Sequence, residues 1–174
     1  MEFEHAAEGE FEWHQSARRA YQLLSRGQEI ASLRFEKTCG SLATGVQDQD
    51  RWTFKRTGFL APRITVRTNG SDANFAEFTP NWCGGGSVIF ASGCRYQLRK
   101  TNFWGTSWAF EAPDGTAAVT LSGPSGFLKH RGNVQVAPGI ATSPETPVLV
   151  MLIWYVRLLM NEDAAVVAVI AATG

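Results

Sequence analysis

The strongest constraint on this chain is an uncharged run close to its C-terminus, Val148-Leu149-Val150-Met151-Leu152-Ile153-Trp154-Tyr155-Val156. Pro147 precedes it, at a position where a helix tolerates the missing N–H, and Thr146 or Glu145 can act near the cap. Leu158, Leu159 and Met160 prolong the run past Arg157, and Asn161-Glu162-Asp163 reads as its stop. A helix that is apolar on every side has to be surrounded by lipid or by protein. From Val148 to Met160 such a helix is roughly 20 Å long at 1.5 Å per residue. A bilayer core requires about 20 residues, so the run is too short to cross one, and Arg157 argues the same way. The reading is a core helix over 148–160, enclosed by the rest of the chain and not transmembrane.

The bulk numbers fit one enclosing domain over residues 1–174. Hydrophobic residues make up 44% and charged residues 18%, a globular rather than a disordered balance. Lys+Arg and Asp+Glu both number 16, so no net charge draws the whole molecule to nucleic acid or to membrane. The distribution is uneven. Residues 1–16 hold five Glu (2, 4, 8, 10 and 12) and no Lys or Arg, which leaves 16 basic against 11 acidic residues in the body. Residues 1–10 read as an acidic lead. It has no basic segment followed by an apolar one, so no signal peptide is visible and a cytoplasmic protein is expected. Cys39, Cys83 and Cys94 are odd in number and form no CxxC, so a disulfide framework or zinc site is not expected; reduced, partly buried thiols are.

Between lead and helix the chain breaks into short runs separated by turn residues. Phe11-Glu12-Trp13 is followed by Ala20 to Ser25, which turns through Arg26-Gly27-Gln28 into Glu29 to Phe35. Ser41 to Gln47, Arg51 to Lys55, Arg63 to Arg67, Phe75 to Phe78, Ser87 to Ala91 and Arg95 to Arg99 follow. Ser107 to Glu111 meets Ala117 to Leu121 across Pro113-Asp114-Gly115, a hairpin signal, and Asn133 to Val136 is the last run before a proline-rich linker, Pro138 to Pro147. About twelve strands at this spacing, joined by tight turns, predict an antiparallel sandwich or barrel.

Side chains on a strand alternate between its two faces. Trp52, Phe54, Ile64, Val66, Tyr96, Leu98, Trp108 and Phe110 therefore face one way. Arg51, Thr53, Lys55, Arg63, Thr65, Arg67, Arg95, Gln97 and Arg99 face the other. About eight strands already make a barrel that its own side chains fill, so about twelve leave a hole. A helix with side chains is about 10 Å across. The helix needs a lining and the strands need a plug, and the expected fold is mainly β: a closed antiparallel barrel of about 12 strands around a central hydrophobic C-terminal helix.

These residues, in this order, resemble the tubby C-terminal-like superfamily, the group that includes LURP-one-related proteins and phospholipid scramblases. The resemblance rests on Phe11-Glu12-Trp13 with the Tyr21 to Phe35 hairpin, the Arg51-Trp52-Thr53-Phe54-Lys55-Arg56 strand, the Trp108 to Leu121 hairpin and the apolar helix Pro147 to Met160. It implies the same barrel around a central helix, and recognition of phosphoinositide head groups by basic residues on the barrel exterior. It brings no catalytic motif with it. Ala164 to Gly174 has no assigned place; a capping strand and a helical tail are both open.

The chemistry in the sequence is spare. His5, His14 and His130 match no common metal spacing and read as solvated surface residues. Gly84-Gly85-Gly86-Ser87 lacks the Lys-Ser/Thr of a phosphate loop and reads as a bend into a strand. No G-x-S-x-G occurs. No catalytic residue, cofactor or metal is expected. Trp52, Trp108 and Trp154 fall on the inferred interior, whereas Trp82 and Trp104 sit in loops, and Asn102-Phe103-Trp104-Gly105 is a candidate exposed aromatic patch. The sharpest functional feature is an outward basic row, Lys55, Arg63, Arg67, Arg95 and Arg99, with Lys129-His130-Arg131 in a later loop. On adjacent strands their forked and ammonium groups would suit phosphate. The expectation is a non-enzymatic module for anionic phospholipid head groups or another phosphorylated ligand, peripheral to a membrane; the competing expectation is a scaffold for a protein partner, without a small-molecule ligand.

Overall fold

Twelve strands follow one another round a closed barrel in the computed structural model, which describes residues 11–58, 60–123 and 131–173. In chain order they are β1 (Phe11–Ala17), β2 (Ala20–Ser25), β3 (Gln28–Phe35), β4 (Ala43–Gln47), β5 (Asp50–Thr57) and β6 (Arg63–Thr68), then β7 (Ala76–Pro80), β8 (Gly86–Phe90), β9 (Arg95–Lys100), β10 (Ser107–Glu111), β11 (Ala117–Ser122) and β12 (Arg131–Val136). Each strand pairs antiparallel with its sequence neighbours, and β1 closes the ring on β12 through Phe11↔Val134 and Trp13↔Gly132. Closure removes the unpaired edges that would otherwise recruit another chain. The acidic lead, Lys129 and the histidines at 5 and 130 lie outside the described residues.

The alternation holds as read. Trp52, Phe54, Ile64, Val66, Tyr96, Leu98, Trp108 and Phe110 are all buried toward the lumen. What they meet there is α1 (Thr146–Thr173). The linker before it carries one 3-10 turn, Pro138–Ile140, and the Thr146 hydroxyl donates to the Ile140 carbonyl. Val148 to Val156 are all buried.

Aromatic contacts set the rotation of the helix inside the ring. Trp154 stacks on Trp13 with centroids 5.7 Å apart and meets the edge of Tyr21 at 5.8 Å. Tyr155 stacks on Phe35 at 5.6 Å and tilts against Phe54 at 5.6 Å. Its hydroxyl donates to the Ser41 carbonyl in the β3–β4 loop, and burial pushes the phenol up to about 12. Two glycines make room for the helix. A Cβ on Gly45 would lie 2.5 Å from the Met151 sulfur, and one on Gly132 would lie 2.7 Å from the Trp154 ring.

Two expectations need correction. The helix does not stop at Asn161-Glu162-Asp163 but runs on to Thr173 as one 28-residue element, so the capping-strand option falls. None of those three residues is a helix breaker, and the alanines beyond them are the best helix formers. Glu162 and Asp163 are therefore mid-helix rather than at a C-terminal dipole end, and each has an arginine: Arg19 at 3.2 Å and Arg56 at 2.6 Å. The thiols are not partly buried: Cys39, Cys83 and Cys94 are all exposed, because each sits in a loop or turn between strands while the lumen is filled by the helix.

The helix is longer than its sheath. At 28 residues it measures roughly 42 Å. The longest strands have 8 residues, roughly 27 Å even before tilt. It enters at the rim formed by the β8–β9 turn and the linker, where Ser92 donates to Glu145 at 2.7 Å. It leaves at the opposite rim, past the β3–β4, β7–β8 and β9–β10 loops. There Arg157 is half-buried, donates to the Gly105 carbonyl at 3.1 Å, and has its pKa lowered by desolvation.

Candidate functional site

The outward cations predicted on β5, β6 and β9 do face outward, but the barrel divides them. β5 and β6 are neighbours, with Thr53 opposite Arg67, Lys55 opposite Thr65 and Thr57 opposite Arg63. Lys55 is thus diagonal to both Arg63 and Arg67, a spacing of roughly 7–8 Å that long side chains bridge. Arg95 and Arg99 stand on β9, and β7 and β8 lie between them and β6. The outer face of those two strands carries Glu77 and Ile89, directly paired. The five residues therefore form two patches rather than one row.

Their partners differ. Arg63 pairs with Glu77 at 3.0 Å, Arg67 donates to the Asn74 side chain at 2.9 Å, and Arg99 pairs with Glu111 at 3.3 Å. Lys55 and Arg95 make no ion pair among the described residues.

A second feature adjoins the Lys55 patch. The outer face of β2 to β5 has a shallow depression of about 460 Å³, floored by short side chains such as Ser32, Thr44 and Val46 and flanked by Arg34 and Arg51. It forms because the outward positions here are small: Ala20 lies opposite Arg34, and Arg34 opposite Thr44. Its two carboxylates are engaged by neighbours, Glu29 by Gln22 and Glu36 by Thr44. Arg34 and Arg51 make no ion pair among the described residues. Arg51 is diagonal to Arg67, so depression and patch run together across β3 to β6. The basic row predicted from sequence omits Arg34 and Arg51. The outward parity of Arg34 is readable from Leu33 and Phe35 on either side of it; the depression beside it is not, because it depends on three strands at once.

His14 Nε2 lies 2.8 Å from Glu12 Oε2 on the outer face of β1. Among the described residues, no three His, Cys, Asp or Glu side chains converge to hold a metal ion. Comparison of the chain with family models, with curated proteins and with solved structures gives no match.

Proposed function

We propose that this barrel is a non-enzymatic binding module that takes a phosphate-bearing head group of an anionic lipid on the outer face of β3 to β6, at the cytoplasmic surface of a membrane. Kinship with the tubby C-terminal-like superfamily is part of the proposal. One observation carries it: Arg34 and Arg51 lack carboxylate partners among the described residues and line a concave surface with the hydroxyls of Ser32 and Thr44, and Lys55, likewise without an ion pair, stands farther along the outer face of β5. Guanidinium and ammonium donors beside short hydroxyls satisfy several phosphate oxygens together, and the concavity holds the group against solvent. The β9 patch is left out of this site.

Co-sedimentation with phosphatidylserine- and phosphoinositide-containing vesicles tests it. Binding should exceed that to neutral vesicles, weaken with salt, and fall at least about tenfold in an Arg51→Glu/Lys55→Glu variant. Competition by soluble inositol phosphates separates a lipid surface from a free phosphorylated ligand. Equal binding of the variant would end the proposal.

The scaffold reading also has support. Arg63, Arg67 and Arg99 are already occupied by Glu77, Asn74 and Glu111, as on an ordinary solvated sheet face. An inert outer face in the vesicle assay would favour it.

A further inference from the structure

The end of the barrel from which α1 emerges differs from the rest of the surface formed by the described residues. Beyond Asp163 the helix reads Ala164-Ala165-Val166-Val167-Ala168-Val169-Ile170-Ala171-Ala172-Thr173, ten residues without a charge. They lie outside the barrel: Val166 is 59% and Val167 66% exposed, and Val169 and Ile170 are exposed to a similar degree. Around the base of this projection stand large apolar side chains from three separate loops. Leu60 (88% exposed) comes from β5–β6, Trp82 (102%) from β7–β8, and Phe103 (93%) and Trp104 (79%) from β9–β10. Of the large hydrophobic residues exposed among the described residues, Ile89 on β8 is the one that lies away from this end.

We propose that this end inserts into one leaflet of a phospholipid bilayer, with residues 164–173 as the penetrating element and Trp82, Phe103 and Trp104 at the head-group level. The shape of the apolar surface selects lipid over a protein groove. A helix docked in a groove keeps a polar face for water, whereas this stretch is valine and isoleucine on one side and alanine on the other. Ten residues make roughly 15 Å of helix, half of a hydrocarbon core of about 30 Å. That fits a leaflet and not a crossing, and no helix among the described residues is long and apolar enough to cross a membrane.

The charges are arranged to match. The last two carboxylates before the apolar stretch, Glu162 and Asp163, are neutralised by Arg19 and Arg56. Lys100, Arg131 and Arg157 at the same rim make no ion pair among the described residues, so the rim presents net positive charge to lipid phosphates. Tryptophans at the base then sit where an amphipathic ring is most stable, at the boundary of hydrocarbon and water.

The inference is carried by the barrel end and does not rest on the outer face of β3 to β6. The experiment uses flotation with neutral phosphatidylcholine vesicles, which offer hydrocarbon and phosphate but no anionic head group. The full chain should float. A Val166→Asp/Val167→Asp variant should float at least about tenfold less, since each acidic residue in hydrocarbon is heavily penalised, while its thermal melt stays that of the parent. Trp82→Ser/Trp104→Ser should weaken flotation less, and Arg95→Glu, on β9 at the opposite rim, should leave it unchanged. A dye on Val167→Cys, with Cys39, Cys83 and Cys94 changed to Ser, should shift to the blue and be quenched by spin-labelled acyl chains. Absence of flotation, flotation indifferent to the two aspartates, or a concentration-dependent dimer that those aspartates dissolve without vesicles would each overturn the proposal; the last would assign the apolar end to a second copy.

Discussion

Residues 148–159 and residues 164–172 belong to the same helix and are comparably apolar, yet they live in opposite surroundings. In the first stretch Val148, Leu149, Val150, Leu152 and Tyr155 have no exposed surface, and the second stretch stands outside the barrel. The boundary between them is a collar of two ion pairs, Arg19–Glu162 and Arg56–Asp163, where the helix passes the rim. Burial is thus not a property of an apolar segment but of what surrounds it. A ring of strands at most 8 residues long can sheath only part of a 28-residue helix. The two rims differ in the same sense: one holds the helix start in a hydrogen-bonded network around Glu145, and the other sets large exposed apolar side chains, Leu60, Trp82, Phe103 and Trp104, among its basic residues.

Substitution should separate the two stretches sharply. Leu152→Ala, inside the ring, is expected to lower stability by about 2–5 kcal/mol through lost burial and a residual cavity. Val167→Ala, outside it, should stay within about 0.5 kcal/mol. Urea unfolding of the two variants checks this, and equal losses would mean that the outer stretch is packed in solution.

The closeness of ring and helix can be probed next. Gly45→Ala places a methyl group 2.5 Å from the Met151 sulfur and 2.8 Å from the Phe54 ring. A loss of about 1–3 kcal/mol is expected from overpacking. Gly139→Ala meets nothing within 4 Å and should be near neutral in the same denaturation series. A tolerated Gly45→Ala would show that the helix sits more loosely than its aromatic contacts indicate.

The smallest effect concerns the rim where the helix starts. Burial works to raise the Glu145 carboxyl, but hydrogen bonds from Ser143 and Ser92 outweigh it and hold the group below the ordinary glutamate range. The unfolded chain then binds this proton at a higher pH than the folded one, so the contribution is present above the ordinary range and is lost as pH falls through it. Thermal melts from neutral pH downward should show this decline, and Ser92→Ala should make it shallower. An unchanged slope would remove Glu145 from the account of that rim.

Much of the fold was legible because period-two alternation is a local code. Arg51-Trp52-Thr53-Phe54-Lys55 and Arg63-Ile64-Thr65-Val66-Arg67 declare their inner and outer faces without reference to any other strand. The helix length was not legible, because Asn161-Glu162-Asp163 looks like a polar stop until Arg19 and Arg56 are seen to meet it. The site was legible only as a list of outward cations. Which of them share a patch depends on strand order, and β7 and β8 put Glu77 and Ile89 between Arg67 and Arg95.

By itself, then, the sequence determined the strand faces, the need for a lumen and the helix that fills it, since each follows from the spacing of apolar residues along a short stretch. Tertiary structure alone decided which cations are neighbours, which of them already hold a carboxylate, and where the helix leaves its sheath. Those are distances between residues far apart in the chain, set by how the ring closes, and no local pattern encodes them.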